Sequence, residues 1–74
     1  MTEINENKVL MQMVKKGSPQ SVVFFEDHED KFMIHVAKVK IRNGDIAGES
    51  LIIKPDLQQW IELFKTRGYV EKEN

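Results

Sequence analysis

The chain has 74 residues and a net charge of −1, which allows one small domain and excludes a second hydrophobic core. With 41% hydrophobic and 31% charged residues, the composition indicates a globular protein. Because there is no cysteine, a disulfide framework, a thiol nucleophile and a zinc–thiolate site are excluded. A domain this small without disulfide or metal staples has marginal stability, so we expect it to bury further apolar surface by forming an oligomer.

The first half of the chain predicts three strands. Residues 8–15 form the first, and the Gly17-Ser18-Pro19 turn ends it. Ser21–Glu26 is β-branched and aromatic, which is the clearest strand signal of this half. An acidic loop at 26–30 then leads into a long third strand, Lys31–Arg42.

The second half predicts a hairpin and a helix. Asn43-Gly44 indicates a type I′ turn, because both residues tolerate the positive φ that this turn requires. The return strand spans Asp45–Lys54, and Gly48 within it indicates a bulge or bend. The helix is expected to begin at Pro55 and to end before Gly68.

These elements predict an α+β fold, an antiparallel four-stranded sheet followed by one C-terminal helix. We expect one domain over residues 8–70, with disordered tails at 1–7 and 71–74. One apolar stripe of the helix is expected to cover one face of the sheet, and it comprises Leu57, Trp60, Ile61 and Phe64. The other face is then exposed to solvent, bound to a ligand or bound to a partner.

No arrangement of side chains predicts catalysis. His28 lies among four carboxylates, but their spacing matches no calcium or zinc loop, so we expect no metal and no cofactor. Serine and lysine residues lack the glycine spacing of a nucleophile elbow or a phosphate loop. We therefore expect that the protein is not an enzyme. Of the functional hypotheses, that of a small enzyme subunit is the weakest.

Basic residues and aromatic residues are interleaved on the predicted strands. Two basic segments, residues 8–25 and 31–42, could present one positive face, although ordinary solvated charge is an equal explanation. Adjacent strand residues point to opposite sides, so either Phe24 or Phe25 must lie on the face away from the helix. An outward aromatic among lysines would stack on bases; burial in a dimer interface or a small second core is nearly as plausible.

The order of elements resembles the positive-cofactor-four family of transcriptional coactivators, which bind single-stranded DNA. The similarity covers most of residues 9–68 and is closest at the strand-to-helix junction, Leu51-Ile52-Ile53-Lys54-Pro55 followed by Gln59-Trp60. The family has a curved sheet of four strands and one helix, and it dimerises through its helix and sheet. The resemblance thus implies a homodimer, with Trp60, Leu63 and Phe64 at the interface.

We accordingly predict non-sequence-specific binding of single-stranded DNA, or of RNA, in transcription, replication or recombination. The predicted contacts lie on the open sheet face and comprise Lys15, Lys16, Ser21, Phe24, Lys31, His35, Lys38, Lys40 and Arg42. Phe24 would stack on a base, and the cations would meet phosphates. A transcription or replication protein is a further possible partner.

The main alternative is a protein–protein adaptor or inhibitor of the same fold. It would dock through the open sheet face and the hairpin arm, and the acidic Glu26–Asp30 loop favours it because carboxylates repel nucleic acid. No apolar run approaches the roughly 20 residues of a membrane span, and the polar N-terminal residues do not resemble a signal peptide. We expect an intracellular location, in the cytoplasm or nucleoid, or in the nucleus of a eukaryote, without membrane contact.

Overall fold

The computed structural model describes residues 8–72 and has one antiparallel sheet with one α-helix packed on it. The strands are β1 (Val9–Val14), β2 (Gln20–Glu26), β3 (Met33–Lys40), β4 (Ile46–Ile53) and β5 (Val70–Glu71). Their order across the sheet is β4-β3-β2-β1-β5. The helix α1 spans Leu57–Thr66. The predicted α+β class and the position of the helix are therefore confirmed.

A fifth strand extends the sheet beyond the four that were predicted. Gly68 ends the helix with φ of 95°, a conformation that favours glycine. Tyr69 then packs edge-on against Phe64, with ring centroids 5.5 Å apart, and this contact directs Val70–Glu71 alongside β1. The prediction of a disordered tail is thus wrong for Glu71 and for Lys72, whose N–H donates to the Gln12 carbonyl at 2.8 Å, while the predictions for residues 1–7 and 73–74 lie outside the described residues.

The β3–β4 hairpin differs from the predicted tight turn. Its connection is a five-residue loop, residues 41–45, closed by a hydrogen bond from the Gly44 N–H to the Lys40 carbonyl at 2.7 Å. Gly44 has φ of 77°, but Asn43 does not have a positive φ, so the type I′ prediction is wrong. The Asn43 side chain instead accepts a hydrogen bond from the Asp45 N–H, which is the Asx pattern typical of longer loops.

The predicted irregularity at Gly48 is confirmed. Lys38 pairs with Gly48 while the next residue of β3, Val39, pairs with Ile46, so Ala47 is the extra residue of a bulge. The predicted helix start is two residues early, because Pro55 lies in a 3₁₀ turn, Lys54–Asp56, that precedes α1.

The sheet is apolar on both faces. The face under α1 carries the main core, which comprises Met13, Val22, Phe24, Ile34, Val36, Ile52, Ile61 and Phe64. The opposite face, called here the second face, carries a smaller cluster of Val23, Phe25 and Ala37, flanked by Val39 and Ile46. The strand alternation thus assigns Phe24 to the helix side and Phe25 to the second face.

We predict that Phe24→Leu lowers the free energy of unfolding by roughly 1–2 kcal/mol, because the Phe24 ring is fully buried against Phe64. Phe32→Leu is the matched control, since Phe32 is 52% exposed, and we expect a change within about 0.5 kcal/mol. Urea denaturation measures both values. Equal costs for the two variants would contradict the assignment of Phe24 to the core.

Candidate nucleic-acid interface

Most of the predicted cations lie together, but on the helix side of the sheet. Lys38 pairs with Val22, a member of the main core, and directly paired residues share a face. Lys40 follows two residues later on the same side, and it lines a shallow surface depression with Arg42. The helix covers this face only over its apolar half, so the basic half of β3 extends beyond α1.

The turn between β1 and β2 brings two more lysines to this end of the sheet. The Ile41 N–H donates to the Pro19 carbonyl at 3.0 Å, which joins the turn to the end of β3. Lys15 lies over the Tyr69 ring, with its Nζ 5.9 Å from the centroid, and Lys16 follows it as an exposed residue. The end of the molecule opposite the acidic loop therefore carries a surface called here the basic end, made of Lys15, Lys16, Lys38, Lys40, Arg42 and Arg67.

Lys31 does not belong to the basic end, which corrects its predicted role. Its Nζ lies 4.0 Å from the Glu26 carboxylate, and the Lys54 Nζ lies 3.7 Å from the same group. Glu26 is buried at the end of β2 that leads into the acidic loop. Lys31 and Lys54 therefore neutralise a buried carboxylate at the far end of the sheet.

Two further predicted contacts are inaccessible. Phe24 has no exposed surface, so its prediction as a base-stacking residue is wrong. Ser21 is only 3% exposed, and its hydroxyl accepts a hydrogen bond from the Gln12 side chain at 3.3 Å. Both residues were misplaced because β2 is apolar on both faces and contains no pattern that identifies the open one.

His35 occupies the second face, where it is held by carboxylates. Its ring stacks on Phe25, with centroids 4.8 Å apart and planes within 4°. Nε2 donates to Asp27 at 2.7 Å, and Nδ1 donates to the Glu49 carboxylate. His35, Asp27 and Glu49 together are called here the His35 clamp. The second face therefore presents its own filled cluster and two carboxylates, not the open aromatic and basic surface that was predicted.

Burial in the sheet would by itself lower the pKa of His35, but the hydrogen bonds to Asp27 and Glu49 outweigh it and raise the pKa above 6.5. The same contact with His35, followed by the backbone N–H groups of Asp30 and Glu29, lowers the pKa of Asp27 to about 2. Stabilisation by His35 is complete below pH 6.5 and is lost as pH rises through its raised pKa. Stabilisation by Asp27 is complete above pH 3.8 and is lost as pH falls towards 2.

A groove of about 300 Å³ opens beside α1 at the basic end. Its lining combines a tryptophan, two cations and the glycine of the β4 bulge, and it comprises Val36, Lys38, Gly48, Glu49, Ser50, Trp60, Phe64 and Arg67. Neither Arg67 nor Gly48 was predicted to belong to a site. The two-residue spacing of Gly48 from Ser50 and of Ser50 from Ile52 could have placed Gly48 on the helix side of the sheet.

The residues predicted at a dimer interface differ in accessibility. Phe64 is 4% exposed and belongs to the core, so its side chain offers no surface to a partner, which corrects that prediction. Leu63 is 39% exposed on the outer surface of α1, and Trp60 is half-buried between this surface and the sheet. The interface itself stays a prediction.

Comparisons with family models, curated proteins and solved structures find no match to this chain. Within residues 8–72, no group of three or more histidine or acidic side chains is placed to hold a metal ion. The α-helix in this part of the chain has ten residues, well short of the roughly 20 needed to cross a bilayer. Only the geometry and charge of the chain itself therefore bear on its function.

We predict that the stability of the protein falls as pH rises above about 6.5, because the His35 imidazolium between two carboxylates loses its charge as pH passes its raised pKa. The variant His35→Gln should abolish this slope, while His28→Gln, in the exposed acidic loop, should preserve it. Thermal denaturation across the pH series measures the effect. A slope that persists in His35→Gln would contradict the His35 clamp.

Proposed function

We propose that the protein binds single-stranded nucleic acid, DNA or RNA, through the basic end on the helix side of the sheet. The observation that carries this proposal is the charge of that surface. Within residues 8–72, none of its six cations takes part in an ion pair, whereas Lys31 and Lys54 at the opposite end pair with Glu26. Clustered unpaired cations attract a polyphosphate, and binding gains free energy from the release of its counterions.

An aromatic ring beside the basic end favours an unpaired strand over a duplex. The cations lie at the β1–β2 turn and at the end of β3, which the Ile41–Pro19 hydrogen bond joins. Trp60 is half-buried next to these cations and offers an aromatic surface for unpaired bases. Contacts of this kind position the backbone without reading bases, so binding is independent of sequence.

The proposed biological role is that of an accessory protein without enzymatic activity. A small module that coats or presents single strands serves transcription, replication or recombination. The resemblance to the positive-cofactor-four coactivators supports the same role through the order of elements and the Pro55 and Gln59-Trp60 junction. The binding surface proposed here differs from the open sheet face that the resemblance suggested.

We predict that Lys40→Glu weakens binding of a labelled oligo-dT about tenfold at low salt, because it replaces a phosphate contact by a repulsive charge. The slope of log affinity against log salt should become shallower by about 0.7. Lys8→Glu is the matched control, since it makes the same charge change on an exposed residue beside Glu26, at the other end of the sheet. Fluorescence anisotropy measures both affinities.

Circular dichroism of the two variants tests that both remain folded. Equal affinities for wild type, Lys40→Glu and Lys8→Glu would place the site elsewhere. Absence of oligo-dT binding by the wild type at low salt would reject the proposed function.

A second candidate function is docking of another protein on the second face. Leu51 and Ile53 are 55% and 40% exposed on that face of the outer strand β4, and Val9 of β1 is 45% exposed on the same face. An exposed apolar patch beside an unpaired strand edge is typical of protein-binding surfaces. The carboxylates of the His35 clamp would make this surface selective for a basic partner.

We predict that the chain forms a homodimer through Leu63 on the outer surface of α1, the side of Trp60 away from the sheet, so that the part of Trp60 that lines the groove beside the sheet stays accessible. Static light scattering at concentrations on the order of tens of micromolar should give twice the chain mass for wild type. Leu63→Glu should give the monomer mass, whereas Leu51→Glu, the same change on the second face, should leave the dimer intact. A dimer disrupted only by Leu51→Glu would place the interface on the second face, and a monomeric wild type would reject the homodimer.

A further inference from the structure

We propose that the groove beside α1 holds one unpaired nucleotide of the bound strand, with its base stacked on Trp60 and its phosphates between Lys38 and Arg67. This inference rests on the proposed function and adds the position of the base, which the charge of the surface does not determine. It places the site of base recognition at the junction of sheet and helix.

The groove exists because Gly48 of β4 has no side chain. Val36 and Lys38 of β3, with Gly48 and Ser50 of β4, share the helix side of the sheet and form the floor. A Cβ atom added to Gly48 would meet no atom within 4 Å, so the space above this residue is open. The bulge beside it, at Ala47, bends β4 locally and separates the floor from the hairpin loop.

Trp60 is held in place by the core while part of its surface remains accessible. Its ring lies 6.4 Å from the Phe64 ring, and Phe64 in turn packs against Phe24 and Tyr69. A ring fixed by packing loses little conformational entropy when a base stacks on it. Trp60 thus combines an aromatic surface with a fixed orientation.

The charges around the groove match a nucleotide. Lys38 and Arg67 lie in the lining of the same cavity as Trp60, so phosphate and base can be bound together. Glu49 also borders the groove, but its carboxylate is hydrogen-bonded to His35 on the second face, where it pairs with Ala37. The Ser50 hydroxyl contributes a neutral donor and acceptor to the floor.

The size of the groove limits how many nucleotides of the strand it can hold. About 300 Å³ lies at the lower limit of the volumes that small-molecule sites usually have. A groove of this size fits one nucleotide, and stacking on Trp60 requires a base whose face is free, so the groove would distinguish an unpaired strand from a duplex. The remaining phosphates would follow the cations towards Lys40 and Arg42.

Trp60 is the single tryptophan of the chain, so its fluorescence reports directly on the groove. We expect oligo-dT to quench this fluorescence with the same concentration dependence that anisotropy of the labelled strand gives. The matching duplex at equal concentration should leave the emission unchanged. Single-strand binding without a change in tryptophan emission would overturn the groove inference and leave the proposed function standing.

Gly48→Leu tests the groove without altering any charge. Gly48 has an ordinary φ and open space above it, so we expect the variant to fold while its side chain fills the floor. Oligo-dT affinity should fall about five- to a hundredfold, the range that one base–aromatic stack supplies, and quenching should be lost. Ala47→Leu is the matched control on the neighbouring exposed residue and should bind like wild type.

The outcomes separate the two proposals. Wild-type affinity and quenching in Gly48→Leu would show that the base lies outside the groove, which overturns the inference. Equal losses in Gly48→Leu and Ala47→Leu would assign the effect to the hairpin arm and also overturn it. Failure of wild type to bind any single strand would reject the proposed function and the groove inference together, a result distinct from binding without quenching.

Discussion

The architecture depends on the alternation of side chains along β3. Ile34 and Val36 face α1 and belong to the main core, and the same alternation places Lys38 and then Lys40 on that side. A ten-residue helix covers only the apolar part of this strand face, so the lysines continue the surface beyond it. Strand β3 therefore supplies both core residues beneath the helix and the first lysines of the basic end.

The two faces of the sheet differ in charge because their polar residues come from different segments. The helix side receives cations from the β1–β2 turn and from the end of β3, whereas the second face receives Asp27 from the acidic loop and Glu49 from β4. His35 joins these two carboxylates over Phe25 and ties the acidic loop to the sheet. A surface with this charge repels nucleic acid, which explains why the proposed site lies beside the helix.

The sequence predicts the order of β1–β4 and α1 because turn signals separate them and because the helix has a clear apolar stripe. It cannot say which of Phe24 and Phe25 faces the helix, since β2 is buried on both sides and has no polar residue between Ser21 and Glu26 to fix the choice. The partners of His35 lie eight and fourteen residues away, so no local pattern indicates the His35 clamp. Strand β5 has two residues, and it is positioned by the packing of Tyr69 on Phe64 and by pairing with β1, which are tertiary contacts that local propensity does not contain.

Amide chemical shifts of isotope-labelled protein, followed during titration with oligo-dT, would locate the bound strand. If an unpaired strand lies along the helix side of the sheet at the basic end, shifts are expected at residues 15–18, 38–48 and 67–68, together with the Trp60 indole N–H, and little change is expected at Phe25 and His35. Shifts confined to the second face, centred on His35 and Leu51, would contradict this position of the strand.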